Sequence, residues 1–165
     1  GDTGVPAVFA KAFGYETASI KGNGIGGNDY HVINAMKSDD TAVSFNAINV
    51  LYDVQTRLLL ADFTVLPVDL NGNGKVSDDE IFYQDLDAVL EKLQSLKAKD
   101  IHNLPIADLQ LVINVKESSQ DTLNFLNWIL ENGQEALSKY GFLQPDTETL
   151  QKERLYVNQL VANLN

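Results

Sequence analysis

The sequence predicts an α/β fold. Apolar residues recur at the helical period in five stretches, and three short runs rich in β-branched and aromatic residues lie among them. Such mixing of helices and strands along a chain is the pattern of a sheet flanked by helices. With 165 residues, 44% of them hydrophobic and 21% charged, the chain is long enough to bury a core and is not of a disordered composition.

The elements follow in order. Asp2 or Thr3 caps a first helix, Pro6 suits its first turn, and Val5, Val8, Phe9, Ala12 and Phe13 form its apolar face before Gly14 stops it. Residues 15–27 are glycine-rich and polar, a loop. Asn28 and Asp29 open a short second helix with Val32, Ile33 and Met36 on one side. Ala42-Val43-Ser44-Phe45 is a strand candidate, and Phe63-Thr64-Val65-Leu66-Pro67-Val68 is a second. The clearest helix runs from Asp78 to Lys99, with Ile81, Phe82, Leu86, Val89, Leu90, Leu93 and Leu96 as one stripe. Leu109–Val115 reads as a third strand. Asp121–Tyr140 reads as a helix that buries Leu123, Phe125, Leu126, Ile129, Leu130 and Leu137, and Thr147–Leu164 as the last one.

A net charge of −11 sets up repulsion from nucleic acid and anionic lipid, so neither is an expected partner. No cysteine is present, which removes disulfides, thiolate zinc sites and cysteine nucleophiles. No apolar run approaches the length of a membrane span. The first residue is Gly1 and no signal peptide is visible, from which a processed or partial chain is expected.

The strongest chemical signal lies at 69–80, Asp-Leu-Asn-Gly-Asn-Gly-Lys-Val-Ser-Asp-Asp-Glu. Counted from Asp69, oxygen-bearing side chains fall at positions 1, 3 and 5 (Asp69, Asn71, Asn73). Gly74 falls at position 6, where the chain must turn sharply. Lys75 at 7 offers its carbonyl, Ser77 at 9 can hold a bridging water, and Glu80 at 12 can bind through both carboxylate oxygens. This is the ligand order of an EF-hand calcium loop, in which alternate residues converge on one hard cation. Val76 at position 8 is expected to point into the core. Only one such loop exists, and the segment before it is strand-like and contains Pro67. The expectation is a structural Ca²⁺ that staples a strand to a helix, held with an affinity of ~10⁻⁴ M.

Other motifs carry less. Gly22–Gly27 spells a dinucleotide-binding glycine pattern, but no apolar strand precedes it, so a loop is expected. His31 and His102 are not spaced as metal ligands. Phe125 and Trp128 sit on a helix at core spacing, and the acidic run Asp78-Asp79-Glu80 suits a helix start. No nucleophile elbow, phosphate loop or acid–base pair is present, so no enzyme activity is expected. Asp2-Thr3-Gly4-Val5 leads into a helix whose free N–H groups could hold an anion, with plain capping as the simpler reading.

The ordered set Gly26-Gly-Asn-Asp29, Thr41–Asn46, Val65–Gly74, Leu109–Lys116, Leu123–Leu130, Gly133-Gln134 and Tyr140–Leu143 resembles the C-terminal half of phosphate-binding proteins of ABC importers. These are type II periplasmic solute-binding proteins, and the calcium loop resembles an insertion in their Bacteroidetes-type branch. The resemblance implies one lobe of such a protein, a central mixed sheet flanked by helices, over 1–112, with 113–165 a helical segment returning toward a first lobe. It implies anion contacts from Thr3, Gly4 and Val5, where Val5 replaces a hydroxyl residue of the family's turn. The expected ligand is inorganic phosphate or a related anion, and the expected partners are the membrane subunits of an ABC importer. An exported, periplasmic or lipid-anchored location follows from the same source. The chain alone is then expected to bind phosphate weakly or not at all, and to self-associate where apolar surface is left open. The alternative is a cell-surface structural or interaction module stabilised by calcium, with no small-molecule ligand.

Overall fold

A computed structural model describes residues 4–96 and 104–163. The chain divides into two compact units, Gly1–Asp108 and Leu109–Asn165. Helix makes up 48% and strand 3%, and strand pairing among the described residues is limited to two isolated antiparallel bridges, Tyr52 with Leu59 and Leu58 with Asp85. The expected α/β class, with the central mixed sheet of a periplasmic-binding-protein lobe, is therefore wrong for this structure. Among the described residues the three strand candidates form neither helix nor paired strand. Val43 is 77% exposed, Leu66 64% and Val112 90%. β-Propensity sets an extended backbone, but a strand exists only where another one completes its ladder.

In the first unit, α1 spans Val5–Ala12 with Pro6 in its first turn, as expected. Phe9 stacks on Phe45 with ring centroids 4.2 Å apart, and Ala10 is buried. Helix α2 spans Asp29–Met36 and buries Ile33. A single turn, α3 (Ile48–Leu51), leads into a tight reversal. Asp53 N–H donates to the Leu58 carbonyl at 2.9 Å and Leu60 N–H to that of Leu51 at 2.9 Å. The Asp53 carboxylate accepts the Gln55 and Thr56 amides inside the turn.

The core of this unit is built on α4, Leu86–Ser95, whose buried Leu86, Val89, Leu90 and Leu93 are the stripe expected from the sequence. The helix starts eight residues later than the expected Asp78. Asp85 caps it by accepting the Ala88 amide at 2.8 Å, and Leu86 N–H is taken by the Arg57 carbonyl at 2.8 Å. Residues Asp78–Glu80 form a separate 3₁₀ turn. Phe82 is buried, but Ile81 is 57% exposed because it lies between the two elements. The helix ends at Ser95, with Leu96 already out of helical geometry, short of the expected Lys99; Lys99 itself and His102 lie outside the described residues.

Tyr52 is 3% exposed and its hydroxyl donates to the Tyr83 carbonyl at 2.9 Å. Burial, aided by the nearby Tyr83 and Asp85, pushes this hydroxyl up to about 12 from its ordinary 10.0. The neutral form is the one the fold favours, so its contribution is complete below the ordinary value and fades as the pH rises from there toward 12. A melting-temperature profile across that alkaline range is expected to fall for the wild type and to fall less steeply for Tyr52→Phe. The residual slope belongs in part to Tyr83, which burial also pushes up.

The second unit is helical. Ser119 caps α5 (Gln120–Trp128) by accepting the Thr122 amide. The helix runs on through one π turn at Ile129–Gly133 into α6 (Gln134–Leu137) and a final 3₁₀ turn ending at Gly141, whose φ of 80° is the left-handed stop. The expected helix to Tyr140 is thus present with a π insertion. Helix α7, Thr147–Asn163, is capped by Asp146, whose carboxylate accepts the Thr149 amide and hydroxyl; these bonds hold its pKa below the ordinary value. Arg154 donates Nε and Nη2 to the Leu130 carbonyl at 3.0 and 2.7 Å, satisfying an acceptor that the π turn frees. Leu123 and Val157 are the buried pair. Phe125 and Trp128, expected in the core, are 60% and 56% exposed and stack on each other at 6.4 Å. Helix α7 packs against α5, and Phe125 and Trp128 lie on the exposed side of α5.

Candidate metal centre

The loop at 69–80 folds on its own backbone. Gly72 and Gly74 take φ of 70° and 82°, conformations that side chains with a Cβ resist. These turns aim a row of amides at Asp69. Its Oδ1 accepts Gly72 N–H at 2.7 Å and Asn73 N–H at 3.2 Å, and its Oδ2 accepts Gly74 N–H at 2.7 Å. Asn71 Oδ1 accepts the Asn73 amide at 3.1 Å and Asn73 Oδ1 the Lys75 amide at 2.9 Å. Each is a side chain bonding its own backbone two residues on, the turn-forming habit of Asn and Asp.

Glu80 closes the loop from its far end. Its Oε1 accepts the Leu70 and Asn71 amides at 2.7 and 3.2 Å. Its Oε2 accepts the Ser77 amide and hydroxyl, both at 2.8 Å. Glu80 is 1% exposed, and among the described residues neither it nor Asp69 has an ion-pair partner. Bonds from the Ser77 amide and hydroxyl, with those from Asn71 and Leu70 and against the effect of burial, pull its carboxyl down to about 2. A buried carboxylate that stays charged without a cation depends wholly on such donors.

The six sequence-predicted ligands thus share one loop, with Glu80 tied back to positions 2 and 3. Asp69, Asn71, Asn73 and Glu80 supply hard oxygens, Lys75 a carbonyl and Ser77 a hydroxyl, a set suited to Ca²⁺ rather than to a thiophilic metal. Asp69 Oδ2, Asn71 Oδ1 and Asn73 Oδ1 each keep an acceptor site open. Glu80 has all four engaged, so two-oxygen ligation requires it to release N–H and O–H partners. Among the described residues no three His, Cys, Asp or Glu form a metal cluster; this loop draws on two carboxylates only.

Two details differ from the sequence reading. The loop joins no strand to a helix directly: the residues before it form no paired strand, its last three residues are a 3₁₀ turn, and α4 begins only at Leu86. Val76 is 43% exposed, because nothing among the described residues covers position 8. The reading also overlooked the role of Ser77 beside Glu80, although Ser-x-x-Glu is the spacing at which a glutamate reaches back to the residue before a helical turn. Of the expected anion contacts, Thr3 lies outside the described residues. Gly4 precedes α1 with φ of 79°, and Val5 is its first residue.

Comparison with protein-family models, curated proteins and solved structures finds no match. No helix of the described residues is long and apolar enough to cross a membrane.

Proposed function

We propose that this chain is a calcium-stapled, non-catalytic binding protein, part of the solute-binding component of an ABC importer for phosphate or a related anion. What supports the calcium part is that the loop amides bond the carboxylates of Asp69 and of the buried Glu80, and that the hard-oxygen side chains belong to the same twelve-residue loop. The ion is structural. It would be held by Asp69, Asn71, Asn73, the Lys75 carbonyl, Ser77 through water, and Glu80, and it would neutralise the charge of the two carboxylates.

The transport part is supported by the order of sequence motifs from Gly26 to Leu143. In this reading the Gly4 and Val5 amides contact the anion, with the Thr3 hydroxyl beside them. Pro6 provides no donor there. The membrane subunits of the importer are the partners, and export to the periplasm or cell envelope goes with that role.

Phosphate titrated into the calcium-treated chain, followed by amide resonances, tests the ligand. A weak, saturable shift at Gly4 and Val5 is the expected result. Saturable shifts confined to residues other than Gly4 and Val5 would remove the anion contacts from the reading and leave a calcium-stabilised interaction module.

A further inference from the structure

The second unit opens with a segment that no neighbour completes. From Leu109 to Asn114 the chain forms neither helix, bridge nor turn. Among the described residues, the N–H groups of Leu109 to Ile113 donate to no backbone carbonyl. Leu109 is 73% exposed, Leu111 60% and Val112 90%. The segment ends where Asn114 gathers a turn, its carbonyl accepting the Glu117 amide at 3.1 Å and the Ser118 hydroxyl at 2.8 Å. An exposed apolar run with free backbone groups is a template for another strand.

The residue order says which strand fits. Asp108-Leu-Gln-Leu-Val-Ile-Asn-Val-Lys116 has the same chemistry read from either end about Val112, with the terminal charges opposite in sign. We propose that Leu109–Val115 is a docking edge for a second copy of this chain, the two segments pairing antiparallel about a two-fold axis at Val112. In that register Leu111 lies opposite Ile113 and Gln110 opposite Asn114, and, as the Val115–Glu117 turn straightens on pairing, Leu109 lies opposite Val115 and Asp108 opposite Lys116, each pair occurring twice. Every cross-strand pair is then apolar with apolar, amide with amide, or acid with base.

Other registers lose this. A slip of one residue sets Leu109 against Asn114 and Gln110 against Ile113, or Leu109 against Lys116 and Leu111 against Asn114. Parallel in-register pairing sets Asp108 on Asp108 and Lys116 on Lys116. The net charge of −11 opposes indiscriminate association of two copies, so the attraction has to come from a local match such as this one. The contact is isologous, so it closes at two copies.

The absence of cysteine allows a clean test on the full chain. In the proposed pair, Val112→Cys places its thiol beside its own counterpart across the axis. With oxidised glutathione it should cross-link about tenfold faster than Val43→Cys, another highly exposed position, in the first unit. In sedimentation, wild type should dimerise, D108K and K116D should each weaken the dimer, and the double swap D108K/K116D should restore it. All these side chains are exposed, so folding is preserved. Equal cross-linking rates, a wild type that stays monomeric at every soluble concentration, or an oligomer indifferent to the charge swap would each overturn the proposal.

Discussion

Replacing Leu86 with alanine is expected to destabilise the protein by about 2–5 kcal/mol. Leu86 is 0% exposed and lies at the start of the buried stripe with Val89, Leu90 and Leu93. It is the residue whose amide meets the Arg57 carbonyl, so its side chain sits where α4 joins the tight reversal. Removing its branched end leaves a cavity that a capped helix is poorly placed to collapse into. Against a typical total of about 5–15 kcal/mol for a domain, a loss of that size moves much of the population out of the folded state. Leu58→Ala is the control, since Leu58 is 58% exposed and should change stability by no more than about 0.5 kcal/mol. Urea melts followed by circular dichroism measure both. A Leu86→Ala cost near that of the control would place the core elsewhere.

What could be read from the sequence was what depends on neighbours along the chain. The buried residues of the α4 stripe and the stop at Gly141 are set by residues within a turn or two of each other, and they stand where expected. The loop at 69–80 is local too, its hydrogen bonds spanning at most ten residues. The strands were not legible, because Val43, Leu66 and Val112 declare an extended backbone while saying nothing of what lies beside it. The start of α4 was misplaced for a related reason. Asp78 and Asp85 are both suitable caps, and the choice between them fell to Glu80, which the Ser77 donors turn back into the loop. Phe125 and Trp128 carry a core signature at helical spacing, but spacing alone does not show which side of α5 meets α7.

Calcium is expected to raise the melting temperature by roughly 5–10 °C at about a hundredfold excess over its dissociation constant. At that excess, binding to the folded state alone contributes about 2.7 kcal/mol, and a chain of this size gains about 2–4 °C per kcal/mol. With two carboxylates among its ligands, the loop belongs in the weak range, ~10⁻⁴ M, so millimolar calcium is the working concentration. Asp69→Ala should abolish the shift, and it should also lower the melting point without calcium, since the Gly72, Asn73 and Gly74 amides lose their acceptor. The shift, and not the absolute melting point, is therefore the readout. Lys75→Ala should keep the full shift, because position 7 contributes a backbone carbonyl. Magnesium should give a smaller one, since it demands a tighter octahedral shell than this flexible set provides.

The most direct measurement is a calcium titration followed by amide resonances of the full chain. One ion per chain should bind, with the largest changes at Leu70, Asn71 and Ser77, whose amides bond Glu80, and at Gly74, whose amide bonds Asp69 Oδ2. Changes at Leu70, Asn71 and Ser77 would report Glu80 exchanging N–H partners for the ion. If those four resonances stay in place at millimolar calcium, or if the ion perturbs residues outside 69–80 instead, the loop is a hydrogen-bonded turn and not a metal centre.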